Sequence, residues 1–201
     1  MSALLPWRAR NFFTGPHVLG HMTQPNPSRR AMAKVIHAVT LPLFIWFMFV
    51  TPDHVNAIGP WAFQMHSFLG LIFVSFALLW TASYLRHGLV GRPGPKLGPM
   101  GRRVHQLLHK TLIWGLFCVA FTGFLLGLTS VTQLWAGNLI PIAYPLKLPR
   151  WNHIAGQVHI IQFYALAGIA LFHAGFHTWR HLRLRDNALR IMAPRALHRF
   201  L

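Results

Sequence analysis

Acidic side chains are almost missing from this sequence, because Asp53 and Asp186 are its two carboxylates against 19 lysines and arginines. Two acids so far apart in sequence exclude chemistry that needs a carboxylate pair, such as glycoside hydrolysis. Charged residues of both signs make up 10% of the chain. Soluble domains carry about 25%. The composition is therefore that of a membrane protein.

Cysteine is equally scarce, since Cys118 is the single one and lies within an apolar run. This excludes a disulfide framework, a CxxC redox motif and a thiolate metal site. We interpret Cys118 as a small packing residue. A CxxCH motif is also missing, so any haem would be held by coordination alone and not by thioether bonds.

What the sequence does have is four long apolar runs, at residues 35–51, 61–85, 107–129 and 156–179. A hydrocarbon core requires about 20 such residues. The first run is marginal and contains Pro42, and we expect it to begin as early as Met32. Helix is the expected state, because lipid offers the backbone no hydrogen-bond partners. The sequence thus predicts an all-α membrane protein, with a four-helix transmembrane bundle over 32–185, an interfacial extension over 1–31 and a basic tail over 186–201.

Lysines and arginines are distributed unevenly among the segments outside these runs. Five precede residue 35, six lie within 86–110 and six follow from residue 180, whereas 52–60 has none and 130–155 has two. Cytoplasmic segments carry an excess of positive charge. We therefore expect both termini in the cytoplasm, and attribute the net charge of +17 to topology and not to nucleic-acid binding. The apolar connection over 130–155 is expected to cap the outer end of the bundle.

Histidine is abundant, with 14 copies, and those inside the apolar runs include His37, His66, His159 and His173. An ionisable side chain within a membrane span indicates function, because burying it without a partner is costly. His159 and His173 share the last run; at their spacing they would lie within about 40° of one helix face and about 21 Å apart along the axis. With alternating helices, His37 would lie level with His173 on the inner side. His66 would lie level with His159 on the outer side.

Two opposed imidazoles at one depth can ligate a haem iron from both faces. The sequence therefore predicts two b-type haems, the inner iron held by His37 and His173 and the outer iron by His66 and His159. The alternative is that these histidines are structural and hydrogen-bond between helices; four of them at two matched depths favour ligation. Small residues that would leave room for a porphyrin lie one turn away, at Gly70, Gly156 and Ala170.

Haem propionates would require cationic partners near both membrane surfaces. On the inner side the available basic residues are Arg29, Arg30, Lys34, Arg102 and Arg103. On the outer side they are Lys147 and Arg150.

Further histidines lie near the inner ends of the runs. His105 and His109 have the i, i+4 spacing of a zinc pair, but the sequence offers no cysteine or carboxylate nearby to complete a site. We interpret them as protonatable interface groups and as rivals of His37 for the inner haem. His177 and His181, with Arg180, form a candidate quinone or proton site. The alternative is that they extend toward the membrane surface as solvated groups.

Several segments carry a family resemblance: AKVIHAV around His37, QMHSFLGLIF around His66, HQLLHKTLIWGLFCVAFTGFLLG through the third run, and RDNALRIMAPR after the last. Over about residues 30–194 the chain resembles the bacterial cytochrome b561 family, four-helix di-haem cytochromes linked to quinone. The resemblance implies haem ligation by His37, His66, His159 and His173. The chain departs from the family at Ala120–Gly123, where a proline is common, and at Arg180–His181, where the family has paired histidines.

The resemblance also implies a function. It predicts a multi-pass protein of the bacterial inner membrane that moves electrons between an outer-side donor and ubiquinone. One branch of the family is a superoxide:ubiquinone oxidoreductase, which makes superoxide a candidate donor and a quinone-linked oxidoreductase the expected enzyme class. The alternative is an anchor and relay subunit for a separate dehydrogenase or a periplasmic c-type cytochrome. A histidine-lined metal transporter is disfavoured, because the spans contain no carboxylates.

Overall fold

The computed structural model describes residues 27–193 together with 198 and 199. The expectation of an interfacial segment over 1–31 falls mostly outside these residues. Within them the chain is mainly helical, and its elements follow in the order α1 (Pro27–Phe49), α2 (Pro52–Ile58), α3 (Pro60–His87), α4 (Pro99–Thr129), β1 (Trp135–Ala136), β2 (Ile140–Pro141), α5 (Pro149–Trp179) and α6 (Ala188–Met192). A π-helical segment, Arg180–Leu184, continues α5.

Four of these helices are long and apolar enough to cross a membrane: Ser28–Phe49, Pro60–His87, Pro99–Thr129 and Pro149–Leu184. Each covers one of the predicted runs, except that α1 ends two residues before the end of the first run, and each extends its run toward the N-terminus, in three cases to a proline at the first turn. Proline suits that position because the first N–H groups of a helix have no acceptor within it. Large apolar side chains are exposed on all four, among them Trp46, Leu78, Phe124 and Leu171. The described chain is thus that of a multi-pass membrane protein.

The helices pack in the order α1, α3, α4, α5, each against the next, and α4 and α5 have the most extensive contact. Gly115 permits that close approach, since a Cβ there would lie 2.6 Å from Leu166 Cδ1. The backbones of α1 and α3 remain farther from α5. Between α1 and α5 the distance is spanned by side chains, with the ring centroids of Phe44 and Phe163 4.9 Å apart.

One end of the bundle, which we call the hairpin end, is covered by residues 130–148. There β1 and β2 form an antiparallel pair, and the turn between them has Gly137 and Asn138 at positive φ. Gly137 N–H donates to Gln64 O at 3.0 Å, which attaches the turn to the beginning of α3. The predicted connection over 130–155 is therefore shorter than expected, because α5 begins at Pro149.

The opposite end, which we call the tail end, holds the π-helical segment and α6. Here α6 contacts both α1 and α5. Asp186 Oδ1 accepts a hydrogen bond from Ala188 N–H at 3.0 Å, at the start of α6. The basic tail predicted from residue 186 thus begins with a short helix that is packed on the bundle.

Candidate functional site

Histidines gather at both ends of the bundle interior. His159 lies toward the hairpin end of α5 and His173 toward its tail end, separated by about 21 Å of helix. Both side chains are half-buried. One helix therefore presents an imidazole near each end, and the partners at each end come from other helices.

At the hairpin end, His159 is oriented by α4. Its Nδ1 lies 3.0 Å from Thr122 Oγ1, and that hydroxyl also lies within hydrogen-bond distance of the Cys118 and Val119 carbonyl oxygens. A hydroxyl that donates to a carbonyl can accept from Nδ1–H, which leaves Nε2 with its lone pair free for a ligand. Gly123 makes room for the ring, because a Cβ there would lie 3.3 Å from His159 Cε1.

His66 approaches the same level from α3. Its ring packs edge to face on Phe47, with centroids 4.9 Å apart, and it is near enough to His159 for their charges to interact. Its buried Nδ1 has no hydrogen-bond partner among the residues that the structure describes. The structure thus brings His66 and His159 to the same end of the bundle, as a ligand pair would require.

At the tail end, the ring of His173 contacts two other histidines, His109 at 4.8 Å and His177 at 4.5 Å between centroids. His37 of α1 is close enough for its charge to interact with His109 and His173, and its ring packs on Trp80 with centroids 6.2 Å apart. His37 and His173 therefore lie toward the same end of the bundle. His109 is in direct ring contact with His173, so it remains an alternative to His37 as the partner of His173.

Three histidines form a compact group next to His173. Ring nitrogens of His105, His109 and His177 all lie within 4.8 Å of one another, and we call these residues the tail-end histidine cluster. The i, i+4 spacing of His105 and His109 indicated the first two in the sequence. The third comes from α5, and only the packing of α4 on α5 brings it there.

Arg180 is not a solvated group of the tail end. Its guanidinium is 1% exposed and bonds Asp186 Oδ2 through Nε at 2.9 Å and Nη2 at 2.6 Å. The α3–α4 connection packs tightly on this pair, since a Cβ at Gly94 would lie 2.5 Å from atoms of both residues. Of the predicted quinone or proton site, His177 belongs to the tail-end histidine cluster, His181 is half-buried in the π-helical segment, and Arg180 has a structural partner.

The interior suits a flat, bulky group in two respects. The backbones of α1 and α3 are held away from α5, which carries two of the candidate ligands. Beside His66, the position of Gly70 is open, because a Cβ there would meet no atom within 4 Å. A porphyrin held between imidazoles requires both a wide helix spacing and small residues beside the ligands.

The sequence did not predict two features of the site. Thr122 is one of many threonines in apolar helices, and only its contact with His159 distinguishes it. The pair of Arg180 and Asp186 had a visible signal, because Asp186 is one of two carboxylates in a chain of 19 basic residues. Compared with family models, curated proteins and solved structures, the chain gives no match.

Proposed function

We propose that this chain is a di-haem b-type cytochrome of the bacterial inner membrane, which moves electrons between an outer-side donor and the ubiquinone pool. The observation that carries the proposal is the placement of a histidine toward each end of α5, each near a histidine of another helix. For a single histidine, a structural hydrogen bond would be sufficient explanation. Histidines of different helices that come together at both ends of a bundle of four apolar helices favour two redox centres within one protein.

The residues divide into two sets. His66 and His159 would hold one haem at the hairpin end, and His37 and His173 would hold the other at the tail end. When bound, each haem supplies a one-electron carrier whose potential depends on its ligands and their hydrogen bonds. Thr122 orients His159 by accepting from Nδ1–H.

A cation at the tail end is available to bind a haem propionate. Arg29 donates from Nη2 to Gly88 O at 3.3 Å, while its Nε is buried with no hydrogen-bond partner among the described residues. A guanidinium with a spare donor stabilises a carboxylate by a charge-assisted hydrogen bond. This supports propionate binding near the tail end.

The test is the visible spectrum of the purified protein with its haem-to-protein ratio, repeated on His159→Ala and His173→Ala. We expect two haems per chain, and the loss of one in each variant with the spectrum of the other retained. His153→Ala is the matched control, because His153 is an exposed histidine of the same helix. A colourless protein, or two haems in the His173 variant, contradicts the proposal. His37→Ala and His109→Ala, measured in parallel, decide which of the two residues faces His173.

Superoxide is the donor that we propose for the outer side. Lys147 and Arg150 are exposed at the hairpin end, and positive potential raises the rate at which an anion arrives. We expect reconstituted protein to reduce ubiquinone when superoxide is generated outside, and the double change Lys147→Ala, Arg150→Ala to slow this about 10-fold at low salt. Lys96→Ala, an exposed lysine of the tail end, should leave the rate unchanged. Intact haems with no superoxide-driven reduction would exclude this donor.

A second candidate, an anchor and relay subunit, is favoured by the apolar surface of the hairpin end. Leu139 is 76% exposed and Tyr144 82% exposed, so the cap offers contact area to a protein partner. Under this alternative, quinone reduction would require an added dehydrogenase or c-type cytochrome. The changes Leu139→Ser and Tyr144→Ser would then abolish it without affecting the haem spectrum.

A further inference from the structure

The tail-end histidine cluster, His105, His109 and His177, brings one ring nitrogen of each residue within 4.8 Å of the other two. We propose that the cluster is a binding site for a borderline divalent transition metal ion of the Zn²⁺ type. The site shares none of the four histidines that we assign to haem, although the rings of His109 and His177 contact the ring of His173. It lies where α4, α5 and the α3–α4 connection meet.

A hydrogen bond within its own helix orients the His109 ring for metal binding. Its Nδ1 lies 2.7 Å from the carbonyl oxygen of His105, so Nδ1–H donates there and Nε2 keeps its lone pair. Metal-binding histidines are usually held in this way, because a hydrogen bond from the second nitrogen fixes the tautomer and the ring orientation. The remaining nitrogen faces Gly91, where a Cβ would lie 3.4 Å from Nε2.

The other two members have nitrogens that lack a partner. His105 is 1% exposed, and its Nδ1 makes no hydrogen bond to any residue that the structure describes. The same holds for the buried Nε2 of His177 within residues 27–193. A buried polar atom left unpaired costs about 1–3 kcal/mol. A metal ion would satisfy both nitrogens at once.

The geometry and charge of the cluster suit such an ion. The ring nitrogens lie within 4.8 Å of one another. A tetrahedral ion with bonds of about 2.0–2.1 Å needs them roughly 3.4 Å apart, which side-chain rotation can supply. The nearest buried cation, Arg180, is neutralised by Asp186 at 2.6 Å. Three imidazoles leave the fourth position of the ion open, as in zinc sites that bind water or an exchangeable ligand.

Zinc retention by the purified holoprotein tests the proposal. The protein is isolated in detergent through a tag without histidines, treated with a chelator, supplied with Zn²⁺ and desalted. Zinc and haem are then measured by elemental analysis and absorbance, and affinity is measured by calorimetric titration. We expect one zinc per chain. His105→Gln and His177→Gln should each weaken binding by at least about 100-fold, the upper end of the ~10–100-fold range typical of the loss of an outer-shell partner.

The controls separate this site from the haem ligands and from surface histidines. His87→Ala removes an exposed histidine of the same end and should keep zinc. His177→Gln changes a half-buried ring and provides a test that does not depend on replacing the fully buried His105. Wild-type protein without zinc, or unchanged zinc affinity in His177→Gln, overturns the proposal. Loss of haem in His177→Gln also overturns it, because the cluster would then belong to the haem site.

Discussion

Thr122 shows how one hydroxyl can determine the chemistry of a neighbouring ring. The hydroxyl lies within hydrogen-bond distance of two carbonyl oxygens, of Gln162 Oε1 at 3.0 Å and of His159 Nδ1. Because it has one proton to donate and accepts readily, it can stabilise the Nδ1–H tautomer of His159. The ring then presents Nε2 to whatever occupies the hairpin end.

We expect Thr122→Val, which keeps the shape and removes the acceptor, to weaken haem retention at the His159 level about 10-fold. The measurement is the haem-to-protein ratio after detergent washing, together with the reduction potentials of both centres. Thr178→Val is the control, because among the described residues the Thr178 hydroxyl donates within its own helix, to Ala174 O. Equal retention in the two variants would show that Thr122 does not orient the ligand.

The two carboxylates of the chain have very different environments. Asp186 is 2% exposed and pairs with Arg180, whereas Asp53 is exposed in the first turn of α2. Removing one partner of a buried ion pair costs about 3–5 kcal/mol, because a charge is left without compensation. We expect Asp186→Asn to lower the thermal aggregation midpoint in detergent on the order of 10 °C. Asp53→Asn should change it little, and a similar shift in both variants would contradict a specific role for the pair.

At the scale of the elements, hydropathy predicted the spans but not the pieces that join them. The four helices follow from runs of apolar residues, and the extra turns of α4 and α5 begin with proline and mix polar and basic residues with apolar ones. The short α2 and the β1–β2 pair lie in segments where local signals are weak. Gly137–Asn138 is a typical hairpin turn, yet the apolar residues around it give no strand periodicity. The attachment of this turn to Gln64 depends on tertiary contact alone.

Substitution should destabilise the turn between β1 and β2 at Gly137 but not at Asn138. Gly137 has φ of +62° and a Cβ there would lie 3.2 Å from Phe68. Gly137→Ala therefore combines backbone strain of about 1 kcal/mol with a steric contact. Asn138, also at positive φ, should accept glycine without loss. We expect limited proteolysis to cleave residues 130–148 faster in Gly137→Ala and at the wild-type rate in Asn138→Gly; equal rates would show that the turn is not held by this contact.

For the whole molecule, the positions of the candidate ligands along the bundle could be predicted from the sequence, but their neighbours could not. His159 and His173 needed only helix geometry, since both lie on one element. Which histidines of other helices meet them depends on how four helices pack, and that packing places His109 in ring contact with His173. Charge counts likewise predict that both termini are cytoplasmic.

Cysteine labelling tests that orientation. In a Cys118→Ser background, Met100→Cys places a thiol at the tail end and Tyr144→Cys places one at the hairpin end; the native side chains are 72% and 82% exposed. A membrane-impermeant maleimide added to intact spheroplasts should label the cysteine at 144 and leave that at 100 unlabelled, with the reverse in inverted vesicles. Labelling of both cysteines from one side would exclude a four-span topology. The inverse pattern would show that the tail end, and not the hairpin end, faces outward.

The wide spacing between α1 and α5 has a consequence for biogenesis. The helix that bears His159 and His173 is synthesised after α1, α3 and α4, because it follows them along the chain. A cofactor that takes one imidazole from α1 or α3 and the other from α5 can bind only after α5 is in place. Helix α6 then packs against both α1 and α5. Under the proposed function, cells starved of haem synthesis would accumulate a precursor whose first and last membrane helices are not held together by the cofactor and are exposed to membrane proteases.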